Sequence, residues 1–262
     1  MTEETPTTET PAPKASPASF LTEVFSQANI TTGLAVFAVI LAAAPYVVPQ
    51  LQAYQVQRGL MAQPAMIEAA QVKLQNQRVA DKAKDMAVQI KARHDSIFND
   101  KSDPVINPAG KIKVVEFLDY QCAYCRAATP ALHAFLAENP DVQLIIKEYP
   151  VVHPPSSVTL AAYGMAAYQG GHYDSVHYAL LTEKIETQTA MNAVLTRAGL
   201  DPETAKAAAT SKAVTDHINR TIQLGNDLGI DGTPTFIVGN TSIDGARIED
   251  LKAAVEAVRA GK

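Results

Sequence analysis

Tryptophan is absent from the 262-residue chain, and cysteine occurs only twice. Two cysteines cannot form a disulfide framework, so the fold must rest on a hydrophobic core, for which a hydrophobic content of 47% is sufficient. An excess of positive charge is also missing, since 22 Lys and Arg stand against 27 Asp and Glu, a net charge of −5. Nucleic-acid partners require basic surface patches, so we predict none for this protein.

The N-terminal 23 residues contain little that could form a core. Residues 2–19 include four prolines and several threonines but no aromatic side chain. Such a segment buries too little apolar area to offset the entropy that it would lose on ordering. We therefore predict a disordered tail over residues 1–23.

Charged residues are absent from positions 24–57, and the centre of this stretch, residues 30–48, is almost continuously apolar. At about 1.5 Å per helical residue, its length matches the hydrocarbon core of a bilayer. A buried core helix is a poor interpretation, because the stretch lies between a disordered tail and a polar helix. We predict a single transmembrane anchor over residues 24–52.

A cleaved signal peptide is the alternative for this segment, because Ala42-Ala43-Ala44 resembles a small-residue cleavage site. The preceding region is long and acidic, with Lys14 as its only basic residue, and Pro45 follows the alanines directly. These features favour the uncleaved anchor. Cleavage would instead leave a soluble periplasmic protein.

A long polar helix is predicted over residues 64–98, which are rich in Ala, Gln and Lys. Apolar or small side chains recur there at alternating steps of three and four, a heptad pattern with one polar position and an interruption at Arg93. We call these positions the seam: Ala69, Val72, Asn76, Val79, Ala83, Met86, Ile90 and Ile97. Two interpretations remain open. Either the helix lies on its own domain, or residues 58–100 form a stalk through which copies of the chain associate.

A compact α/β domain is predicted over residues 103–262. Its predicted elements are strands at 113–118, 143–147, 235–238 and 241–243, and helices at 122–138 and 246–260. The last two strands flank Gly239-Asn240, a tight-turn pair. Residues 155–228 are Ala-rich, with helical periodicity and no strand pattern, which predicts a helical insertion in the α/β core.

Both cysteines lie in one C-x-x-C, Cys122 and Cys125, where a predicted strand ends and a helix begins. Amide groups and the positive dipole end at a helix N-terminus stabilise a thiolate, which lowers the pKa of the first thiol. The thiolate is the species that attacks disulfides. Cys125, one helical turn on, can attack the resulting mixed disulfide. We assign Cys122 as the nucleophile and Cys125 as the resolving thiol.

A metal site at this cysteine pair is a weaker interpretation, because zinc needs about four ligands and the pair supplies two. Among the six histidines only His172 and His177 have zinc-ligand spacing, and they lie in the helical insertion. A purely structural disulfide would close a very short loop and so remove little chain entropy. We predict redox chemistry with no bound cofactor and no metal.

The stretch from about Arg58 to the C-terminus resembles the DsbA-like thiol:disulfide oxidoreductases, in particular their ScsC-like periplasmic branch. The resemblance rests on VVEFLDYQCAYC at residues 114–125, on Pro130, on KEYP at 147–150 and on GTPTFIVG at 232–239. LMAQPAMIEAAQVKL and FNDKSDPV, which precede the first strand, are similar to the same branch. The first 55 residues lie outside the resemblance. It implies a thioredoxin-like fold with a helical insertion.

The resemblance also implies roles for residues outside the cysteine pair. Pro234 corresponds to the family's cis-proline, which together with Thr233 presents backbone groups to an extended substrate, and a trans proline in a turn is the alternative. Glu116 corresponds to a buried acidic residue beneath the resolving cysteine, with Lys147 near it. A charged residue in an apolar strand needs a partner when it is buried, and a solvent-facing edge position is the alternative for both.

Between the cysteines, Ala123 and Tyr124 replace the Pro-His pair of the most oxidising relatives. Without a cationic imidazole beside the thiolate, we expect a less extreme reduction potential. Tyr124 is either a substrate contact or a packing aromatic. Thr233 before the cis-proline is associated, through the resemblance, with isomerases and reductases more than with the strongest oxidases.

We therefore expect a membrane-anchored protein thiol:disulfide oxidoreductase, leaning toward isomerase or reductase, with its catalytic domain in a bacterial periplasm. The expected partners are protein substrates with thiols or disulfides, a membrane redox partner that recharges the cysteines, and other copies of the chain through the stalk. The alternatives are a DsbA-like net oxidase of protein thiols and a non-enzymatic binding module with a thioredoxin-like domain.

Overall fold

The computed structural model describes residues 27–62 and 64–261, so the tail predicted over residues 1–23 lies outside the described residues. The chain divides into two units, Met1–Gln75 and Asn76–Lys262. The first unit contains helix α1 (Gln27–Ala62), with Pro45 and Pro49 inside it.

Helix α1 includes a segment, Thr32–Gly59, that is long and apolar enough to cross a membrane by length and composition. The predicted anchor, residues 24–52, overlaps this segment and begins before the described residues. The candidate span reaches Gly59 because the helix continues past Pro49 through residues among which Arg58 alone is charged.

The second unit is built around one mixed β-sheet with helices on both faces. Helix α2 (Pro64–Ala92) ends within it, and the elements that follow are α3 (His94–Phe98), β1 (Val105–Ile106), β2 (Ile112–Leu118), α4 (Ala123–Glu138), β3 (Val142–Glu148), α5 (Ser156–Gln169), α6 (Tyr173–Thr182), α7 (Gln188–Arg197), α8 (Pro202–Ala209), α9 (Lys212–Asp227), β4 (Thr235–Val238), β5 (Thr241–Asp244) and α10 (Ile248–Arg259).

The sheet has the strand order β1-β3-β2-β4-β5. Strands β2 and β3 are parallel and are joined by α4, while the other three neighbouring pairs are antiparallel. The hairpin of β4 and β5 turns at Gly239, whose φ of 56° is a left-handed conformation that glycine adopts without steric cost. The predicted strands all form. Strand β1 has only two residues, too few to show a periodic pattern in the sequence.

Alternating side chains of β2 face two hydrophobic clusters. Val114 and Leu118 pack against α4, α10 and the helices of the insertion, α5 to α8. Val115 and Phe117 point to the opposite face, where they meet Met86, Ile90, Ile97 and Phe98 together with Leu228 and Ile230. The strand therefore lies between two cores, as its run of apolar residues predicts.

The seam divides into two parts in the structure. Met86, Ile90 and Ile97 are buried against the sheet, whereas Val72 and Val79 are exposed. The helix predicted over residues 64–98 is also interrupted, because α2 ends at Ala92 and α3 begins after Arg93. The core therefore includes residues that precede the boundary predicted at residue 103, since the apolar face of these helices covers one side of the sheet.

Candidate active site

Cys122 occupies the N-cap position of α4, directly after the turn that follows β2. Its backbone is extended, with φ −73° and ψ 120°, and its N–H donates to the carbonyl of Asp119 at 3.0 Å. The Cys122 carbonyl accepts from the Arg126 N–H at 3.1 Å and so starts the helix. The first thiol therefore lies at the positive end of the dipole of a 16-residue helix.

The Cys122 thiol is 6% exposed, and its Sγ donates to the carbonyl oxygen of Thr233 at 3.1 Å. A hydrogen bond with the Cys125 side chain lowers the pKa of Cys122 to about 5, assisted by the backbone N–H groups of Tyr124 and Cys125 and opposed by burial. At neutral pH the free protein therefore carries a Cys122 thiolate, which is the nucleophilic form.

Cys125 lies in the first turn of α4, beneath Cys122, and is 2% exposed. Its hydrogen bond to the Cys122 sulfur raises the pKa of the Cys125 thiol far above its usual value, and burial and the charge of Glu116 raise it further. The two thiols thus have opposite characters. The Cys122 thiol is ionised at the helix N-terminus, and the Cys125 thiol beneath it is protonated.

The loop before β4 contacts the first cysteine. The Thr233–Pro234 peptide bond is cis, and Thr233 is buried beside the Cys122 sulfur. Tyr124 is 70% exposed, so it does not pack into the core. Ala123, the other residue between the cysteines, is exposed as well.

Residues 99–257, more than half of the chain, match the protein family described as Thioredoxin. The chain belongs to this family. A solved thioredoxin-like oxidoreductase from Silicibacter pomeroyi DSS-3 is 34% identical, with a TM-score of 0.60, over 63% of this chain and 97% of that chain. A linker-deletion variant of ScsC from Proteus mirabilis has a TM-score of 0.64 over 76% of this chain and 93% of that chain, and at 23% identity it shows the fold alone.

Two curated relatives carry different names. The Na(+)/H(+) antiporter NhaA 3 of Salinispora tropica is 29% identical over 148 residues, which is 55% of this chain and 22% of that protein. The thiol:disulfide interchange protein DsbA of Burkholderia cepacia is 28% identical over 141 residues, which is 52% of this chain and 66% of that protein. The chain thus spans about a fifth of the length of the first relative and just under two thirds of the second. The predicted thioredoxin-like fold and the resemblance to DsbA-like oxidoreductases are confirmed.

Within this thioredoxin-family site, Glu116 lies on the face of β2 that packs against α4. It is 3% exposed, and its Oε2 has no hydrogen-bond partner among the described residues. Burial raises the pKa of Glu116 to about 8, and the charge of Cys122 adds to the rise. Glu116 also lines a cavity of about 270 Å³ together with Thr129, Leu132, His133 and His177.

Lys147 does not lie near Glu116, contrary to the position that the resemblance implies. In the parallel register Lys147 pairs with Phe117, so the two side chains share the opposite face of the sheet from Glu116. The Lys147 ammonium is buried there, where it donates to the carboxylate of Asp103 and to the carbonyl of Ser96. The alternation of side chains along a strand separates the two charged groups.

Two polar residues that the sequence analysis did not single out hold the cysteine loop in place. The Asp119 carboxylate accepts from the N–H groups of Gln121 and Val152, each at 2.8 Å. The Arg126 guanidinium donates to the carbonyls of Leu180 and Glu183 at 2.9 and 2.8 Å. Both are single charged residues next to the C-x-x-C, and that position is the only signal for them in the sequence.

A buried polar network lies behind the cysteine loop. Tyr120 and Tyr173 donate to Glu148 Oε1 at 2.8 and 2.9 Å, and Tyr120 also contacts His177 Nδ1 at 3.0 Å. Burial raises the pKa of Glu148 to about 8 and lowers that of His177 to about 3, so both are uncharged at neutral pH. A Cβ at Gly164 would approach Tyr120 Oη to 2.8 Å, so the network requires glycine there. His177 therefore has a structural partner, not the metal role that its spacing from His172 could suggest.

Proposed function

We propose that the chain is a protein thiol:disulfide oxidoreductase that acts on extracytoplasmic substrates through Cys122 and Cys125. The observation that carries the proposal is the contrast between the two thiols. The Cys122 pKa is lowered to about 5 at a helix N-terminus, while Cys125 is buried and protonated beneath it. A binding module without catalytic activity has no need of such a pair.

In the first step, the Cys122 thiolate attacks one sulfur of a substrate disulfide. A bond forms between Cys122 Sγ and that sulfur, the substrate S–S bond breaks, and the second substrate sulfur leaves as a thiolate. The cis-proline loop supports this geometry, because the Thr233 backbone lies next to Cys122 and can meet an extended substrate chain. Tyr124, which is exposed between the two cysteines, is the proposed second substrate contact.

In the second step, the thiolate that attacks the mixed disulfide differs between a reductase and an isomerase. As a reductase, the Cys125 thiolate attacks Cys122 Sγ, the substrate leaves with both cysteines reduced, and the enzyme keeps a Cys122–Cys125 disulfide. As an isomerase, another substrate thiolate attacks the mixed disulfide, and Cys122 is released with no net change in oxidation state. No bound cofactor enters either route.

Cys125 must lose its proton before it can attack. Its pKa falls once Cys122 is in a mixed disulfide, because the thiolate that raises the pKa of Cys125 is then gone. Glu116 is the proposed acceptor of this proton. With a pKa of about 8, Glu116 is mostly protonated in the free enzyme at neutral pH. Loss of the Cys122 charge in the mixed disulfide removes one cause of that raised pKa, so the carboxylate fraction that can accept the proton grows at this step.

A net oxidase is the second candidate function. The lowered Cys122 pKa favours this function, whereas the residue types at Ala123, Tyr124 and Thr233 favour an isomerase or a reductase. A stabilised thiolate stabilises the reduced enzyme, which raises the reduction potential. A pKa of about 5 lies between the values of about 3.5 for DsbA and about 7 for thioredoxin. The oxidase runs the same exchange in reverse, with a membrane redox partner that reoxidises the cysteines.

Insulin reduction, refolding of scrambled ribonuclease and the reduction potential against glutathione together test this function. We expect activity in at least one assay and its loss in Cys122→Ser. A potential near −120 mV would assign the oxidase and one near −270 mV the reductase, by comparison with DsbA and thioredoxin. If the wild-type protein were inactive in both assays and Cys122 failed to exchange with glutathione, the binding-module alternative would hold.

We further propose that the segment Thr32–Gly59 anchors the chain in the inner membrane with the second unit in the periplasm. The proposed activity supports this orientation, because a protein disulfide catalyst needs an oxidising compartment and the reducing systems of the cytoplasm would oppose it. Protease added to spheroplasts should digest the domain that carries Cys122. Complete protection would contradict the orientation, and recovery of a soluble protein that starts near Pro45 would favour a cleaved signal.

Self-association through the exposed part of the seam is the proposed assembly, and it would favour isomerase activity by bringing several sites to one substrate. A shorter chain that begins at Asp103 cannot test it, because Met86, Ile90 and Ile97 belong to the core. Val72→Lys with Val79→Lys in the full chain should lower association in sedimentation equilibrium. Gln75→Lys with Gln77→Lys, also on the exposed surface of α2, is the charge-matched control. If the two variants associated equally, the exposed part of the seam would not mediate assembly, and α2 would serve only as a spacer.

A further inference from the structure

A second cluster of polar and titratable side chains lies away from the cysteines, where the loop between α3 and β1 meets helix α9. Asp100 and Asp103 come from the loop, and His217 comes from the helix. Each offers one ligand atom, and the three atoms lie within 4.8 Å of one another.

The hydrogen bonds of Ser102 determine the tautomer of His217. The Ser102 hydroxyl and backbone N–H both donate to Asp100 Oδ1, and the same hydroxyl lies 3.0 Å from His217 Nδ1. A hydroxyl has one proton, and here it is used on Asp100. Ser102 must therefore accept from His217, so that Nδ1 carries the ring proton and Nε2 has a free lone pair.

That lone pair faces a carboxylate oxygen. His217 Nε2 and Asp103 Oδ1 are 3.6 Å apart, longer than a hydrogen bond, and neither has a hydrogen-bond partner among the described residues. His217 is 3% exposed and Asp103 is 1% exposed. Two buried acceptors that face each other without a hydrogen-bond donor among the described residues form an unfavourable arrangement, which a shared cation would relieve.

Two cationic side chains lie close to this pair. Lys147 binds the other oxygen of Asp103, Oδ2, and Arg220 lies near enough to affect the pKa values of both Asp103 and His217. The carboxylates of Asp100 and Asp103 offset these two cations. A surface cavity of about 260 Å³ reaches the cluster and is lined by Asp100, Lys147 and Arg220, which gives an ion a route from solvent.

We propose that Asp103, His217 and Asp100 form a zinc site, with water completing the coordination. Imidazole nitrogen and carboxylate oxygen are zinc ligands at about 2.0–2.2 Å, and two such ligands on a tetrahedral ion lie about 3.4 Å apart. The observed 3.6 Å between Nε2 and Oδ1 fits this geometry with a small adjustment. The ion would join the loop before β1 to the helical insertion.

This site departs from the expectation of no metal, which concerned the cysteine pair and histidine spacing in the sequence. It is also independent of the proposed redox function, because none of its ligands contacts the cysteines. Binding is therefore measured in a Cys122→Ser, Cys125→Ser chain, in which the thiols cannot bind zinc.

Isothermal titration of this chain with Zn²⁺ should show one site. His217→Asn, whose side-chain amide nitrogen can occupy the position of Nδ1 and keep the hydrogen bond to Ser102, should weaken zinc binding at least tenfold. The control is His94→Gln, since His94 is also 3.5 Å from an aspartate, Asp95, but on the exposed surface. No zinc binding by the cysteine-free chain, or equal affinity in the His217 variant, would overturn the proposal.

Asp100→Asn is a second test in case the His217 variant does not fold. Asp100 is only half-buried, and asparagine can still accept hydrogen bonds from Ser102, so this substitution should preserve the fold. It too should weaken binding. In thermal unfolding, Zn²⁺ should raise the midpoint of the cysteine-free chain and of the His94 variant, but not of the His217 and Asp100 variants. An equal zinc-dependent shift in all four proteins would contradict the site.

Discussion

The Sγ of Cys122 lies 3.1 Å from the carbonyl oxygen of Thr233, a residue 111 positions further along the chain. The contact joins the start of α4 to the cis-proline loop. A thiol can donate to this carbonyl, whereas a thiolate cannot. Ionisation of Cys122 therefore frees the Thr233 carbonyl at the same moment as it produces the nucleophile, and the carbonyl can then accept from a substrate N–H.

The two thiols should differ sharply in reactivity. The ultraviolet absorbance of the thiolate in the reduced protein should titrate with a midpoint near the pKa of about 5 at Cys122, and Cys122→Ser should remove this transition. Cys125→Ser should accumulate mixed disulfides with substrate proteins, because the resolving thiol is missing. Faster alkylation of Cys125 than of Cys122 by iodoacetamide at neutral pH would reverse the assignment.

The contribution of Cys122 to the stability of the reduced protein should rise with pH between about 5 and 9, opposite in sign to the contributions of Glu116 and Glu148, whose pKa values are raised to about 8. The Cys122 pKa is lowered in the folded state, so the folded chain binds fewer protons than the unfolded chain in this window. The contribution is complete above the unfolded pKa and is lost as the pH falls through about 5. Urea unfolding of the reduced wild-type protein and of Cys122→Ser at both ends of the window should show a difference that grows with pH. A constant difference would contradict the low pKa.

Glu116→Gln should slow the second step and not the first. Glutamine has nearly the same shape but cannot take the proton of Cys125, and loss of a general base costs on the order of 10²-fold in rate. Quenched-flow measurements should show a longer-lived mixed disulfide with an unchanged rate of Cys122 attack. An unchanged lifetime would limit Glu116 to a structural role.

Ile90→Ala should destabilise the domain by about 2–5 kcal/mol, because Ile90 is fully buried against the sheet and its loss leaves a cavity. Val88→Ala is the matched control. Val88 lies two positions earlier on the same helix and is 64% exposed, so its change should stay within about 0.5 kcal/mol. Chemical unfolding of both variants decides whether the end of α2 belongs to the folding unit.

Arg126→Ala should cost about 1–3 kcal/mol, since it removes two charge-assisted hydrogen bonds and leaves the carbonyls of Leu180 and Glu183 without this donor. Arg247→Ala, which breaks an exposed ion pair with Asp250, should change stability by less than about 1 kcal/mol. If both substitutions changed the free energy of unfolding equally, the hydrogen bonds of Arg126 would not stabilise the packing of α4 against α6.

Local sequence was sufficient for much of the fold and for the centre of the site. The strands 113–118 and 143–147, the helix after Cys122 and the final hairpin were predicted within one or two residues of their positions, because periodicity and turn residues act over short distances. The placement of Cys122 at a helix start followed from the same local pattern. The lowered pKa at Cys122 then depends on groups within three residues and on the side chain of Thr233 in the cis-proline loop.

Tertiary structure decided the partners of the polar residues and of the seam. Met86 and Ile90 share a heptad pattern with Val72, and only the position of the sheet separates buried from exposed members. Lys147 faces Asp103 and not Glu116, because Lys147 is the register partner of Phe117 and successive residues along a strand point to opposite faces. Asp103 and His217 are 114 residues apart in the sequence and meet only when α9 packs on the sheet, which no local pattern can encode.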